Sequence, residues 1–215
     1  MDPEVGADLL RLVHGEQDIQ FVRPLSPWEL VYPVAIFDRL EKKASGELIY
    51  CRQKLWSGGE LVAEIVSTYF IRGQSGGSKA PAQASEAAPE REYLFSTTQA
   101  VAADQPVRYG HASGDINPIH MDDGVARAAG HPSIILHGLC TMAFVGKAVV
   151  DSLLEGDATR LKRLRGRFSR VVLPADVLTI RAWDVGHDGG RRIIGVEATN
   201  QKGQTVFANG LAEML

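Results

Sequence analysis

Residues 109–138 read YGHASGDINPIHMDDGVARAAGHPSIILHG, and residues 139–154 continue as LCTMAFVGKAVVDSLL. The second run settles the fold class. Leu139, Met142, Ala143, Val145, Val149, Val150, Leu153 and Leu154 cover most of a helix circumference. A helix that is apolar nearly all round is buried, so the spacing predicts a central helix that other elements must enclose. Gly156 is placed to end it. Upstream, Asp122 to Ala129 predicts a short helix with Asp122 and Asp123 at its positive end. Asp104 to Ala112 predicts a helical turn.

The first run is dense in groups that move protons. Asp115 and His120 lie five positions apart in Ser-Gly-Asp-Ile-Asn-Pro-Ile-His. Gly and Pro restrict the backbone there, and Asn and Asp favour turns. A carboxylate and an imidazole facing one small volume can hold one water between them. Addition of that water across a carbon–carbon double bond needs a base for the nucleophile and an acid for the adjacent carbon, and such a pair supplies both. Singly, each residue reads as ordinary structure, Asp115 as a turn or cap residue and His120 as a satisfied core histidine. Together, with Asn117-Pro118 between them, they read as a site. Gly138 at the helix start adds free backbone N–H groups, and its missing side chain lets a ligand approach. Those N–H groups would stabilise charge on a polarised carbonyl oxygen.

Two other chemistries fit less well. A calcium loop starting at Asp115 needs Gly at its sixth position and Glu at its twelfth, where His120 and Ala126 stand. A zinc pattern lacks its Cys pair and its closely spaced His pair. No metal is therefore expected. A nucleophile elbow is absent, since Ser113 sits in His-Ala-Ser-Gly.

Working outward, the downstream sequence predicts four strands: Leu161 to Val172, Val177 to Val185, Arg191 to Thr199 and Thr205 to Met214. Glu92 to Thr97 predicts a short strand before the site. The upstream sequence predicts a meander of about four antiparallel strands. They start from Gln17, run through Leu30 to Leu40 and Leu48 to Trp56, and end with Leu61 to Ile71, with a hairpin turn at Ser57-Gly58-Gly59-Glu60. Asp8 to Val13 reads as a short helix or a frayed start. Residues 73–91, GQSGGSKAPAQASEAAPER, have no periodicity and read as a flexible linker. The expected division is thus 1–72, a shortened first repeat; 73–91, the linker; and 92–215, the catalytic unit. The repeat is weak but visible: Arg23-Pro24-Leu25-Ser26-Pro27 faces Arg170-Val171-Val172-Leu173-Pro174, and Gly58-Gly59-Glu60-Leu61-Val62 faces Gly203-Gln204-Thr205-Val206. The first copy has no room for a counterpart of residues 109–154, so one chemical centre per chain is expected. Two such units can join their sheets edge to edge.

The totals fit this reading. Net charge is −3, with 26 acidic and 23 basic residues, which argues against a general nucleic-acid binder. Cys51 and Cys140 sit in apolar surroundings and read as free thiols of a reducing compartment. The N-terminal residues are acidic and do not read as a signal peptide, and Lys147 and Asp151 interrupt the apolar run, so no membrane span is expected. The terminal AEML is not the peroxisomal tripeptide. A cytoplasmic location is expected. Arg160, Lys162, Arg163, Arg165, Arg167 and Arg170 form a basic cluster. It reads first as a solvated face, and second as a phosphate-binding surface for a coenzyme A tail.

At this point the residues resemble a known family. Tyr109-Gly-His-Ala-Ser-Gly-Asp-Ile-Asn-Pro-Ile-His120-Met-Asp, followed by His137-Gly138, is similar to the hydratase 2 motif of MaoC-like (R)-specific enoyl-CoA hydratases. The match is best over residues 92–215. Residues 14–72 resemble, more weakly, the first half of double-hotdog members. The resemblance implies an α+β hotdog fold, an antiparallel sheet wrapped round one long helix. It implies reversible hydration of trans-2-enoyl-CoA to (3R)-3-hydroxyacyl-CoA, with no cofactor. By position, Asp115 and His120 match the water-activating pair, Asn117 the residue supporting it, and Gly138 the oxyanion donor. Tyr109, Ser113, Gly114 and His137 complete the motif and are expected to bind substrate. The implied partner is an acyl-CoA thioester, and a homodimer is expected. A 3-hydroxyacyl-thioester dehydratase, a thioesterase and a non-catalytic acyl-CoA-binding subunit are the alternatives. Asp123 departs from the family by standing where proline is frequent. The first half also departs, because its helix and its first strand are missing.

Overall fold

The structure is a computed structural model that describes residues 12–73 and 91–215. Asp8 to Arg11 and most of the expected linker lie outside the described residues. Among the described residues, nine strands form one sheet: β1 (Leu12–Phe21), β2 (Tyr32–Lys43), β3 (Gly46–Ser57), β4 (Glu60–Arg72), β5 (Phe95–Ala100), β6 (Leu161–Phe168), β7 (Val177–Asp188), β8 (Arg191–Thr199) and β9 (Thr205–Met214). Three α-helices lie between β5 and β6: α1 (Gln105–Ser113), α2 (Asp123–Ala128) and α3 (Gly138–Leu153).

The sheet order is β2-β3-β4-β1-β6-β9-β8-β7-β5. Read outward from the β1–β6 seam, both halves repeat one order, with the first strand innermost and its successors running back toward it from the rim. β5 caps the rim of the second half, and no described strand pairs with the outer edge of β2. The upstream strands therefore do not form a simple meander, because β1 pairs with β4 and not with β2. The cause is local. The connection from Val22 to Val31 carries Pro24 and Pro27, which cannot donate to a ladder, and it is too long for a hairpin. Other boundaries move for similar reasons. Leu12 and Val13 are strand, because Ile71 and Phe70 lie opposite them. β5 starts three residues later than expected, where Phe95 meets Ala182. β6 stops at Phe168, four residues early, before the loop that leads to Pro174.

The core lies between α3 and the second half of the sheet. Cys140, Met142, Val145, Val149 and Leu154 pack with Leu178, Ile180, Ile194, Val196 and Phe207 in one cluster. Val145 and Val149 are fully buried, and each such side chain contributes about 1.5–3 kcal/mol of burial. Gly146 lets the helix approach β6, since a Cβ there would come 3.1 Å from Leu164 Cδ2. After Leu154 the chain turns through Gly156 in the left-handed region, with its N–H bonded to Val150 O. This is the sheet wrapped round one long helix that the resemblance implied.

The seam is tied by charge as well as by the ladder. Arg163 donates to both carboxylate oxygens of Asp18 at 2.8 and 2.6 Å and to Glu213 at 2.9 Å, linking β1, β6 and β9. These bonds to paired carboxylates hold the half-buried guanidinium well above its ordinary range.

Candidate active site

The loop between α1 and α2 is built by its own polar side chains. Gly114 ends α1 with φ +77°, and its N–H bonds to Gly110 O. Ser113 Oγ accepts from the Asp115 N–H at 3.2 Å, and Asp115 Oδ1 accepts from the Asn117 N–H at 3.3 Å. Asn117 Oδ1 then caps a 3-10 turn, Pro118–His120, by accepting from the Ile119 N–H. Each side chain fixes a backbone group two residues on, which is why Ser, Asp and Asn recur at this spacing. The loop carries Asp115 to the surface, its side chain 53% exposed, and drives His120 inward to 8%.

His120 Nδ1 lies 2.8 Å from the Ile135 carbonyl oxygen. That oxygen only accepts, so Nδ1 carries the shared hydrogen and Nε2 presents a lone pair. Burial pushes the imidazole down to about 4. The Ile135 carbonyl and the Asp115 charge oppose that shift, while His137 and His131 add to it. His120 is therefore neutral near pH 7.

His137 joins this loop to α3. It is 2% exposed, and its ring stacks on His120 with centroids 3.7 Å apart and planes 25° apart. Its Nε2 donates to the Asp115 main-chain carbonyl at 2.8 Å and lies 4.0 Å from Asp115 Oδ2. Tyr109 also packs against it, tilted, at 4.8 Å between ring centroids. His137 is also the residue before α3, whose start has no side-chain cap. The His137 carbonyl takes the N–H groups of Cys140 and Thr141, which leaves those of Gly138 and Leu139 for another acceptor. Gly138 is packed tightly, since a Cβ there would lie 2.9 Å from Phe168 Cδ2.

The eight expected site residues divide by placement. Asp115, His120, His137 and Tyr109 come together. Gly138 begins the adjoining helix, and Asn117 supports the loop. Ser113 and Gly114 are exposed and shape the turn. His137, expected to bind substrate, is buried, with the rings of His120 and Tyr109 against it. Asp123, where the family often has proline, accepts from the Ile134 N–H at 2.9 Å and pairs with Arg127 at 3.1 Å, so it ties α2 to the segment entering α3.

The sequence did not point to His14, Tyr69 and Phe168. His14 stacks on Tyr69 at 4.8 Å and meets the Phe168 ring edge-on at 5.0 Å. Its Nε2 reaches Gln17 Oε1 at 2.8 Å, and buried Ser67 donates to the same oxygen at 2.7 Å. Burial lowers the His14 pKa, with bonds to Gln17 and Glu16 and the charge of Asp115 acting against it. The first half thus brings a polar and an aromatic wall toward Asp115, through Phe168 and Gly138. The only hint in the sequence is Gly15, where β1 bulges between His14 and Glu16.

A ligating atom from each of Asp115, His120 and His137 lies within 4.8 Å of the other two. One nitrogen of each ring is already held by a carbonyl, and the two rings are stacked.

Three arginines of the basic cluster point away from the site. Leu164, Gly166 and Phe168 face α3 and the core, so Arg163, Arg165 and Arg167 project from the opposite face of the sheet. There Arg165 and Arg167 line an open cleft of 660 Å³ with Glu16, Arg39, Tyr50 and Arg52. These arginines are not placed to hold the tail of a substrate lying at Asp115. Cys140 is buried, and its thiol is pushed up to about 11, which suits packing and not nucleophilic chemistry.

Residues 84–205 match the family model described as "MaoC like domain". The chain is 31% identical over 208 residues to "Enoyl-CoA hydratase ChsH3" of Mycobacterium tuberculosis, an alignment covering 96% of this chain and 71% of that protein. It is 29% identical over 210 residues to "Probable enoyl-CoA hydratase 2" of Dictyostelium discoideum, covering 95% and 70%. Among solved structures, a MaoC-like dehydratase from Phytophthora capsici superposes with a TM-score of 0.83 at 28% identity, covering 97% of this chain and 73% of that one.

Proposed function

The chain belongs to the MaoC-like family, and from that premise we propose that it is an (R)-specific enoyl-CoA hydratase, adding water reversibly to trans-2-enoyl-CoA to give (3R)-3-hydroxyacyl-CoA. One observation carries the reading. A carboxylate oxygen of Asp115 and a ring nitrogen of His120 lie within 4.8 Å of one another, and His137 joins them to the uncapped start of a buried helix. That spacing suits a single water donating one hydrogen bond to each acceptor.

The chemistry follows from the acceptors. With both hydrogens engaged, the water oxygen directs a lone pair at C3 of the enoyl group. As the C3–O bond forms, one water proton passes to the Asp115–His120 pair, and the double-bond electrons move onto the thioester as an enolate. The first N–H groups of α3, Gly138 among them, donate to that oxygen. The pair then returns the proton to C2, and the thioester carbonyl re-forms. Water, substrate and product balance, and dehydration is the same path reversed. Preorganised donors of this kind are worth roughly 2.7–4 kcal/mol each. His14 and Tyr69 form the wall that the first half contributes, packed against Phe168 of β6, and the enzyme acts as a homodimer in the cytoplasm.

The test is direct. Purified protein is mixed with crotonyl-CoA and with a longer trans-2-enoyl-CoA, the loss of enoyl absorbance is followed, and the product is resolved by chirality. The expected product is (3R), and Asp115→Asn and His120→Asn should each slow turnover by ~10²–10⁴-fold. Unchanged rates in both variants, or a (3S) product, would overturn the assignment.

A further inference from the structure

His137 connects the two parts of the site. Its carbonyl receives the N–H groups of Cys140 and Thr141, so it anchors the first turn of α3. Its Nε2 holds the main-chain carbonyl of Asp115, and its ring is the surface on which His120 lies. A buried Nδ1 on the same ring has no partner among the described residues. Packing alone does not explain a polar ring here, because a phenylalanine would fill the space without leaving an orphaned nitrogen. Unsatisfied buried polar atoms are rare and mark sites where another demand prevails. The demand visible here is the Nε2 bond to Asp115.

We infer that His137 is a positioning residue for the hydration step: it sets the gap between the Asp115–His120 pair and the first N–H groups of α3. This rests on the hydratase reading above. The water must be held by the loop while the enolate oxygen is held by the helix, so C3 and the thioester oxygen are addressed by two separate elements. A residue that ties the Asp115 backbone to the turn before Gly138 fixes that distance. Misplacement of reacting groups by about 1 Å costs on the order of 10²-fold in rate. The effect falls on kcat, since His137 offers substrate no surface of its own.

Two variants separate the ring from the donor. His137→Phe keeps a stacking surface for His120 and removes the donor. His137→Gln keeps a donor and removes the stack. For His137→Phe the expected result is a ~10–100-fold fall in kcat, with KM within about threefold of wild type and a thermal midpoint no lower. A side chain that merely fills space would give the opposite pattern, with full turnover at an unchanged or raised midpoint. The companion measurement needs no substrate: amide hydrogen exchange at Asp115, Ile116 and Asn117, read by NMR. Exchange should quicken in His137→Phe and return toward wild type in His137→Gln, which keeps the bond to the Asp115 carbonyl. Wild-type kcat in His137→Phe, or loop exchange that does not change, would overturn the inference. Should the wild-type protein hydrate no enoyl thioester, the hydratase reading fails alone, and the exchange experiment still decides whether His137 holds the loop.

Discussion

The ring of Phe168 occupies the space where a side chain at Gly138 would go, with a Cβ there only 2.9 Å from Cδ2. Phe168 ends β6 and is touched by His14 of β1, so the helix start is pressed on by the seam between the two halves. Gly138→Ala should therefore displace the ring or the helix. The expected outcome is a loss of about 1–3 kcal/mol in urea unfolding, as for other overpacked cores, and at least a tenfold fall in kcat. Pairing it with Phe168→Leu should restore stability before it restores turnover.

The depressed pKa of His120 makes a pH prediction. The imidazole must be neutral to accept a proton, and in the folded protein it stays neutral down to about pH 4. The acid limb of kcat/KM should accordingly fall near pH 4 and not near 6.5. Stability moves in the same direction. Between the ordinary value of 6.5 and about 4, the unfolded chain binds a proton that the folded chain does not. The stabilisation is therefore full above pH 6.5 and is lost as pH falls through that window, by ~3 kcal/mol at most. Chemical denaturation at pH 7, 5.5 and 4.5 reads this directly, and His120→Asn should flatten that part of the curve.

Arg163 makes three short bonds to Asp18 and Glu213 across the seam. Arg163→Met leaves two half-buried carboxylates without that partner, and Glu213 then relies on Arg191. Because the group is partly exposed, the expected loss is about 1–3 kcal/mol and not the larger figure of a fully buried pair. Denaturant unfolding measures it. Turnover at 25 °C should survive, since Arg163 projects away from Asp115.

Arg165 and Arg167 give the complementary control. They face the far side of the sheet, so Arg165→Ala and Arg167→Ala should leave KM for an enoyl-CoA within about twofold. A rise in KM of tenfold or more would return the coenzyme tail to that face.

His14 makes the opposite prediction. His14→Leu keeps bulk but loses the bond to Gln17 and the charge relation to Asp115. KM for enoyl thioesters should rise several-fold, with a smaller change in kcat. Steady-state kinetics on two chain lengths checks this.

The helices and the site loop were legible because their signals are local. Apolar spacing fixed α3 to within a residue at each end, and Asp122 does cap α2 by accepting from the Val125 N–H. Asp115 and Asn117 announce themselves because each side chain works on backbone two positions away, whereas His120 is held by the Ile135 carbonyl fifteen positions on. What stayed hidden depends on contacts distant in sequence. Leu12 and Val13 look helical in isolation and become strand against Ile71 and Phe70. His14 looks like any polar strand residue until β1 is laid beside β6. The buried orphan nitrogen of His137 follows from the stacking of two rings, which no spacing rule encodes.

The seam has a kinetic consequence. Asp18 and Arg163 meet across 145 residues of chain, so the ladder between β1 and β6 closes one of the longest loops the molecule can form. Loop-closure entropy must be met before such contacts return anything, and folds dominated by distant pairings form slowly. The β5–β9 unit with α3 holds its own buried cluster and can collapse first, carrying Asp115 and His120 with it. The wall made by His14 and Tyr69 arrives only when the seam zips. In refolding, then, the helical signal should recover ahead of enzymatic competence, and the lag between the two would time the closure of the sheet.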